Sequence, residues 1–294
     1  MADSPKVIDD VALIFEGGGM RASYTSGLVN TLLEQGICFN NVYGVSAGSS
    51  NSVNYVSGDI WRTKVSFTDL ADDPHFGGVG SFLQHKGFFN ARYIYQEAGR
   101  PDGVIPFKTK DFLENPANVT IEGFDRDTGE TLYWTKNSLT TLDDLMLRVR
   151  ASSSLPLVMV ATKVEDRWCY DGGLGEGSGL MVPRAKADGF KRFFVVCTRP
   201  KGYRKSDKRN SLVEKLFWRR PFVKQALMTR ALRYNEQLDE LAYLEAQGQA
   251  KVFYAEEQKV ESGERNVAIL RENYDRGYAQ AQRELESLTS FLGI

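Results

Sequence analysis

Short apolar runs and amphipathic stretches alternate along most of the chain. Residues 11–15 are all apolar, which predicts a strand buried on both faces. Residues 22–35 instead repeat their large apolar side chains at helical spacing, and Gly36 ends this pattern. A second strand over 41–45 and a helix to about residue 57 follow. Together these segments predict a β-α-β-α unit whose two strands are parallel neighbours.

The same patterns predict elements along the rest of the chain. They are short helices over 64–70 and 93–98, a β-hairpin over 119–124 and 130–135, a helix over 142–150, strands over 167–170 and 192–197, a helical stretch over 212–247 broken at Pro221, a strand over 251–254 and a closing helix over 266–291. Strands that alternate with helices predict an α/β fold, here a three-layer α/β/α sandwich around a mainly parallel central sheet.

The composition of the 294 residues is that of an ordinary globular protein, with 42% hydrophobic residues and a net charge of −1. No apolar run reaches the roughly 18–20 residues of a membrane span, and the N-terminus lacks the pattern of a secretory signal. Cys38, Cys169 and Cys197 are widely spaced among apolar neighbours, which predicts buried thiols in a reducing compartment. We therefore expect a cytoplasmic protein that is at most peripheral at a membrane.

Charge is unevenly distributed in the last third of the chain. Residues 199–233 hold twelve Lys/Arg and two acidic residues, whereas residues 236–294 hold twelve Asp/Glu and six Lys/Arg. Such blocks more often form solvated helical faces than binding surfaces. Residues 215–222 mix basic and aromatic side chains, which is typical either of a segment at a membrane surface or of a helix that packs its aromatic side chains on the core. No nucleic-acid recognition motif accompanies these charges, so no nucleic-acid partner is expected.

Residues 44–48, Gly-Val-Ser-Ala-Gly, lie between the second predicted strand and its helix. This arrangement is typical of a nucleophile elbow, in which Ser46 occupies a sharp turn and the helix starting at Ala47 directs unpaired N–H groups towards its oxygen. Gly44 and Gly48 would be needed because a side chain at either position would strike the neighbouring strand or helix. The same five-residue pattern also occurs by chance in loops.

A serine nucleophile needs a base to take its proton. The two histidines, His75 and His85, are both expected at the surface, so a histidine-based triad is not expected. Asp171 is the better candidate because it ends a short strand, and Gly172 and Gly173 let the backbone turn away from its carboxylate. Asp-Gly-Gly is also a common turn sequence. With two histidines and no ligand spacing among the cysteines, we expect no metal ion and no cofactor.

Gly17, Gly18 and Gly19 follow the first strand and precede a helix. Their N–H groups, with the start of the helix at Met20 and Arg21, could stabilise an oxyanion near the elbow, where each well-placed donor is typically worth about 10²–10³ in rate. A glycine-rich turn between strand and helix can also hold a phosphate, but neither nucleotide-binding pattern is present. The Arg21 side chain fits either an anion-binding role or that of a structural anchor.

These motifs, in this order, resemble those of the patatin-like phospholipase family. That family combines a Gly-Gly-Gly-x-Arg loop, a Gly-x-Ser-x-Gly elbow and a later Asp-Gly-Gly/Ala, which residues 17–21, 44–48 and 171–173 match. Residues 151–156, Ala-Ser-Ser-Ser-Leu-Pro, also resemble the family's Ala-Ser-x-x-x-Pro stretch. The resemblance covers roughly residues 10–200. The departures are Ala22, where many members have glycine, and residues 177–179, where many have polar or proline residues at the pocket.

The resemblance implies a patatin-like fold, with a catalytic α/β domain over residues 1–200 and a mostly helical extension over residues 201–294 packed on it. It implies a lipid acyl hydrolase, similar to phospholipase A or lysophospholipase, in which Ser46 and Asp171 form a catalytic dyad and an acyl-enzyme forms without a metal. The oxyanion hole would comprise the glycine loop and Ala47, and the substrate would be a phospholipid or another acyl-ester lipid.

Other functions also fit these residues. The same dyad would suit an acyltransferase or an esterase of soluble esters, and without turnover the protein would be a lipid- or acyl-binding module. The mechanism makes one sharp structural prediction: Ser46 Oγ and a carboxylate oxygen of Asp171 should lie within hydrogen-bonding distance, or one water apart.

Overall fold

A mostly parallel sheet organises the chain in the computed structural model, which describes residues 5–84, 87–206 and 211–294. The strands of this part of the chain are β1 (Lys6–Ile8), β2 (Val11–Phe15), β3 (Ile37–Phe39), β4 (Asn41–Val45), β5 (Asn118–Asp125), β6 (Thr131–Thr135), β7 (Thr162–Val164), β8 (Arg167–Asp171), β9 (Arg192–Cys197) and β10 (Ala250–Tyr254). Eight of them form the central sheet, in the order β10-β9-β2-β4-β5-β8-β7 with β6 also paired to β5. β1 and β3 form a separate parallel pair.

Helices and single helical turns connect these strands. The helices are α1 (Ala22–Glu34), α2 (Ala47–Val56), α3 (Ile60–Val65), α4 (Val79–Leu83), α5 (Thr109–Glu114), α6 (Leu142–Ser152), α7 (Val182–Ala187), α8 (Ser211–Leu216), α9 (Pro221–Ala246) and α10 (Val267–Leu292). The chain also forms 3₁₀ turns at Gly19–Arg21, Asp69–Asp72, Lys136–Ser138 and Gly172–Leu174 and a π-helical turn at Tyr93–Glu97. Among the helices of these described ranges, none is both long and apolar enough to cross a bilayer.

Both faces of the sheet are covered by helices. Successive side chains of a strand point to opposite faces. In β2, Val11, Leu13 and Phe15 pack with α1, α2 and α10, whereas Ala12 and Ile14 pack with α7 and α9. Burial on both faces explains the uninterrupted apolar run. The predicted three-layer α/β/α sandwich with a mainly parallel sheet is therefore confirmed.

The C-terminal third of the chain extends this sandwich. β10 is an edge strand of the central sheet and is parallel to β9. Helix α10 packs along α1, and a Cβ on Gly27 or Gly277 would lie only 2.3 Å or 2.0 Å from the backbone of the other helix. These two glycines therefore let the helix backbones meet. Pro221 is the first residue of α9, at the predicted break.

Some predicted elements have different boundaries. The segment 64–70 is not one helix: α3 begins earlier because the Asp59 side chain caps it by accepting the N–H of Arg62, and a 3₁₀ turn follows from Asp69. Strands β1, β3 and β7 were not predicted because three residues are too few to show a periodic pattern.

The predicted locations of cysteines and histidines are partly confirmed. Cys169 and Cys197 are buried, but the prediction is wrong for Cys38, which is exposed. The alternation of β3 explains this, because the residues on either side of Cys38 are buried and its own side chain points the other way. The side chain of His75 is 72% exposed, as predicted, and His85 lies outside the described residues.

Candidate active site

Ser46 lies on a sharp turn between β4 and α2. Its φ of +56° is in the left-handed region, which residues other than glycine rarely adopt. A Cβ on Gly44 would lie 2.5 Å from the carbonyl oxygen of Gly48, and a Cβ on Gly48 would lie 2.2 Å from that of Phe15. Neither glycine can carry a side chain while this turn is kept, which agrees with the geometry of a nucleophile elbow.

The β5 strand brings Ser46 and Asp171 together. β6 pairs with one edge of β5. Along the other edge, residues 118–122 of β5 pair with β4 and residues 123–125 pair with β8. Because β4 is parallel to β5 and β8 is antiparallel, these two strands run towards each other. They end at adjacent positions, with Val45 opposite Glu122 and Asp171 opposite Gly123. Asp171 is thus at the end of its strand, as predicted, but that strand is antiparallel to its neighbours and does not belong to the parallel set.

The hydroxyl of Ser46 and the carboxylate of Asp171 are hydrogen-bonded. Ser46 Oγ donates to Asp171 Oδ2 at 2.7 Å across 125 residues of sequence, which confirms the predicted distance. Asp171 Oδ1 accepts the N–H of Gly173, also at 2.7 Å. Asp171 is 3% exposed, and this burial raises its pKa, against the opposing effects of Arg230 and of the bond from Ser46. A raised pKa makes the carboxylate a stronger base towards the serine proton.

The C-terminal end of α6 and the residues after it fix the backbone on both sides of this hydrogen bond. The N–H of Ser46 donates to Ser152 Oγ at 2.9 Å, and the N–H of Asp171 donates to the carbonyl oxygen of Ser154 at 3.0 Å. Both acceptors belong to residues 151–156, which the sequence singled out only through a family resemblance. These contacts give residues 151–156 a physical role, because they hold the backbones of Ser46 and Asp171 in place.

Three amides of the predicted oxyanion loop already have acceptors. The N–H of Gly17 donates to the carbonyl oxygen of Gly179 at 3.2 Å, and that of Met20 donates to Ser262 at 3.0 Å. The backbone N–H of Arg21 donates to the carbonyl oxygen of Gly18 in the same loop, at 3.4 Å. Each of these three amides already has a protein acceptor, and their predicted part in an oxyanion hole stays a prediction.

The remaining predicted donors are the N–H groups of Gly18, Gly19 and Ala47. Within the residues that the structure describes, none of the three has a hydrogen-bond acceptor. The loop lies against the elbow, since a Cβ on Gly17 would be 3.1 Å from Ser46 Cβ. Gly18, Gly19 and Ala47 all line the same cavity as Ser46, and the Ala47 N–H lies at the N-terminus of α2.

A cavity of about 360 Å³ opens beside Ser46 and Asp171. This volume falls within the roughly 300–1,000 Å³ that is typical of ligand pockets. Ser46, Asp171 and the glycine loop form its polar end. Much of the remaining wall is apolar, and representative side chains are those of Phe67, Leu70, Phe76, Phe89, Ile105 and Met146.

Basic side chains that the sequence did not single out also line this cavity. Arg21 was a candidate, but Lys205 and Arg230 belong to the block that was expected to be a solvated face. These two residues are half-buried and border the pocket, because they come from the segment after β9 and from α9. Other members of the block do face solvent, and Arg204 pairs with Asp239 there.

A buried acid, Glu122, lies next to the dyad on β5. It is 1% exposed, and neither carboxylate oxygen has a hydrogen-bond partner among the described residues. Burial raises the pKa of Glu122 well above its usual range, and the nearby Glu176 and Asp171 add to this rise. Nothing in the sequence distinguishes Glu122 from an ordinary polar residue of a strand, because its burial follows from the position of β5 inside the sheet.

The fold and the site define an α/β protein with a serine–carboxylate pair where two strands of its central sheet end. A family model described as patatin-like phospholipase matches residues 13–183, more than half of the chain, and the chain belongs to this family. Family membership supports a hydrolase of acyl lipids in general terms. A second model, a domain of unknown function (DUF6363), matches residues 220–293.

One solved structure with a similar fold is the crystal structure of VipD from Legionella pneumophila. The similarity has a TM-score of 0.50 at 12% sequence identity and covers 95% of this chain and 67% of the VipD chain. At this identity the likeness supports the fold alone. Among curated proteins, no sequence matches the chain.

Proposed function

We propose that the protein hydrolyses acyl esters of phospholipids or related lipids, with Ser46 as nucleophile and Asp171 as base. The main support is the 2.7 Å hydrogen bond between Ser46 Oγ and Asp171 Oδ2 at the polar end of an otherwise largely apolar cavity. A serine hydroxyl becomes a useful nucleophile when an adjacent group takes its proton. A buried carboxylate with a raised pKa suits this task.

In the proposed reaction, Ser46 Oγ attacks the ester carbonyl carbon while its proton passes to Asp171 Oδ2. The N–H groups of Gly18, Gly19 and Ala47 stabilise the oxyanion of the tetrahedral intermediate, each by about 10²–10³ in rate. The carbon–oxygen bond to the alcohol then breaks, and the leaving oxygen receives the proton from Asp171. A water molecule then attacks the acyl-enzyme while its proton passes to Asp171. The bond to Ser46 Oγ breaks, this oxygen receives the proton, and the fatty acid is released.

The apolar part of the cavity supports a lipid acyl chain as the bound group. Six large apolar side chains of its wall, from Phe67 to Met146, are buried. Removing an acyl chain from water against such a wall is favourable by roughly 0.8 kcal/mol for each buried CH₂ group. A short soluble ester would gain little of this free energy, so long-chain esters should have the higher kcat/KM.

Activity measurements on Ser46→Ala and Asp171→Asn test this proposal. Both variants should lose hydrolysis of long-chain esters while retaining the circular dichroism spectrum of the wild type, and Ser46→Ala should lose labelling by a fluorophosphonate. Ser138→Ala and Asp166→Asn are matched controls, because neither residue lines the cavity. Undiminished hydrolysis by a folded Ser46→Ala protein would refute the mechanism, and an unlabelled wild-type serine would favour a lipid-binding module.

We also propose that the protein contacts membranes peripherally through residues 215–222. Its cytoplasmic location stays a prediction. Phe217 packs inside, next to Phe124 and Leu174. Trp218 instead is 71% exposed and lies beside Arg219, a combination that suits the interface of an anionic bilayer.

Vesicle sedimentation tests this contact. Trp218→Ala should bind vesicles containing anionic lipid more weakly than the wild type, because it removes an exposed aromatic side chain. Trp61→Ala is the matched control, since Trp61 is 53% exposed on α3. Equal sedimentation of wild type and Trp218→Ala would contradict the proposed contact, and equal binding to neutral and anionic vesicles would remove its electrostatic part.

A further inference from the structure

A buried acid immediately precedes the glycine loop. Glu16 follows β2 and is 3% exposed, and it does not line the cavity that contains Ser46. Unlike Glu122, it has a hydrogen-bond donor on each of its carboxylate oxygens. Burying a carboxylate is costly unless such partners replace the water that it loses. The contacts of Glu16 therefore account for its burial.

One oxygen of Glu16 binds the residue after β9. Oε2 accepts the backbone N–H of Thr198 at 2.5 Å, and the Thr198 hydroxyl lies 3.1 Å from the same oxygen. Because β2 and β9 are parallel neighbours, the two residues lie side by side where these strands end. The Thr198 hydroxyl is also 3.3 Å from the carbonyl oxygen of Gly17. Thr198 thus connects the buried acid to the first residue of the glycine loop.

The side chain of Thr198 also packs against the second glycine of this loop. A Cβ on Gly18 would lie 2.7 Å from Thr198 Oγ1 and 2.8 Å from its Cγ2. Thr198 is 0% exposed, so its surroundings confine it. The position of Thr198 therefore limits where the backbone of Gly18 can lie.

The other oxygen of Glu16 is bound by the C-terminal third of the chain. Oε1 accepts the hydroxyl of Tyr234, on α9, at 2.6 Å. Burial raises the pKa of Tyr234 and the charge of Glu16 adds to this rise, so the hydroxyl keeps its proton and donates it. Tyr234 lies within the domain of unknown function, whereas Glu16 lies within the residues that match the patatin-like model. This contact joins the two matched regions next to the glycine loop.

Two cations lie near Glu16. Burial lowers the pKa of Arg21 and that of Lys205, and in both cases the charge of Glu16 opposes this decrease. Lys205 Nζ also lies 3.4 Å from the ring centroid of Tyr234. An ionised carboxylate is an acceptor only, which matches the donors on both oxygens of Glu16. Charge and hydrogen bonding therefore favour the same arrangement.

We propose that Glu16, Thr198 and Tyr234, which we call the loop clamp, hold the glycine loop in the position from which it serves catalysis. The inference rests on the proposed function and adds positioning residues to it, since no member of the loop clamp lines the cavity. It also gives the domain of unknown function a task at the active site, because Tyr234 belongs to that domain. A loop displaced by about 1 Å can lower the rate by about 10²-fold, so the loop clamp should act on kcat.

Steady-state hydrolysis of p-nitrophenyl palmitate in detergent micelles measures this effect. Tyr234→Phe removes the donor to Glu16 Oε1. Thr198→Val removes the hydroxyl but keeps the shape of the side chain against Gly18. Each substitution should lower kcat by about tenfold to 10²-fold, with KM within about twofold of the wild type. Thr198→Ser retains a hydroxyl and should retain most of kcat.

Tyr254→Phe is the matched control. The Tyr254 hydroxyl also donates to a glutamate, Glu245 of α9, at 2.9 Å, and neither residue lines the cavity. This variant should keep the kcat of the wild type. Unchanged kcat in both Tyr234→Phe and Thr198→Val would overturn the loop clamp. So would an equal fall of kcat in Tyr254→Phe, because the loss of any tyrosine–glutamate bond would then have the same effect.

Hydrogen exchange followed by mass spectrometry separates this inference from the proposed function, since it needs no turnover. The peptide that covers residues 17–21 should exchange faster in Tyr234→Phe than in the wild type or Tyr254→Phe, because the hydrogen bonds of the Gly17 and Met20 amides depend on the position of the loop. This result would support the loop clamp even if the wild type hydrolyses no ester.

Two outcomes of the exchange measurement would overturn the loop clamp, whether or not the protein is a hydrolase. One is exchange at the wild-type rate over residues 17–21 in Tyr234→Phe. The other is an equal acceleration in the peptide that covers β4, because the substitution would then act on the whole fold and not on the loop.

Discussion

Replacing Glu122 with glutamine should change how the stability of the protein depends on pH. The Glu122 carboxyl group is buried beside the dyad without a hydrogen-bond partner among the described residues. Burial, reinforced by Glu176 and Asp171, raises its pKa well above its usual range in the folded protein. The folded state therefore keeps a proton on Glu122 over a pH range in which the unfolded chain has released it.

The sign and the slope of the effect follow from proton linkage. Below the unfolded pKa of about 4.3, Glu122 is protonated in both states and the protein has its full stability. As the pH rises from there through the folded pKa, the unfolded chain ionises first, so this stability is lost. Between these two pKa values the free energy of unfolding should fall by about 1.4 kcal/mol per pH unit from this group. Glu122→Gln is nearly isosteric and does not titrate, so this decrease disappears in the variant.

Urea unfolding at several pH values between 5 and 8 measures this difference. The free energy of unfolding of Glu122→Gln minus that of the wild type should increase with pH and level off above the folded pKa. Glu114→Gln is the control, because it makes the same substitution at a side chain that is 67% exposed. A flat difference for Glu122→Gln as well would refute the conclusion that folding retains this proton.

Three further changes probe the dyad and its supports. Because burial raises the pKa of Asp171, kcat/KM should begin to fall on acidification at a higher pH than an exposed aspartate would allow. Arg230→Gln should move this fall to a still higher pH, since the guanidinium of Arg230 lowers the pKa of Asp171. An unchanged pH profile would mean that another group is the base. Ser152→Ala removes the acceptor of the elbow amide and should lower kcat more than it raises KM, at a cost of about 1 kcal/mol in stability, with Ser152→Thr restoring kcat. Gly19→Ala should cost at least about 1 kcal/mol more in urea unfolding than Gly248→Ala, since both have positive φ but only the Cβ at Gly19 meets a carbonyl oxygen, at 2.5 Å. Equal losses would show that φ alone sets the cost.

The sequence predicted those parts of the fold that local patterns determine. The apolar runs of β2, β4 and β9 identified strands buried on both faces, and Gly44 and Gly48 marked the elbow because the turn has no room for side chains. Such features depend on residues that are near each other in the chain. They can be read without knowing what packs against them.

Other features depend on pairings that no local pattern records. The contact between Ser46 and Asp171 requires β4 and β8 to share one edge of β5 and to end at adjacent residues of it. Inspection of the sequence identified both residues, but it placed Asp171 by analogy with parallel strands. Lys205 and Arg230 look like any other members of a basic block, and only the position of α9 and the segment before it distinguishes them.

The glycine loop at residues 17–19 shows why the last third of the chain cannot be treated as an accessory to the candidate site. The carbonyl oxygen of Ser262 accepts the N–H of Met20 and lies where a side chain of Gly19 would be. The Gln258 side-chain amide donates to the carbonyl oxygens of Arg21 and Thr198, which ties the start of α1 to the end of β9. The bond from Met20 to Ser262 occupies one amide of the loop, whereas the amides of Gly18 and Gly19 have no acceptor among the residues that the structure describes. The segment between β10 and α10 thus occupies one backbone donor of the glycine loop, so the C-terminal region influences which donors remain for the proposed oxyanion hole.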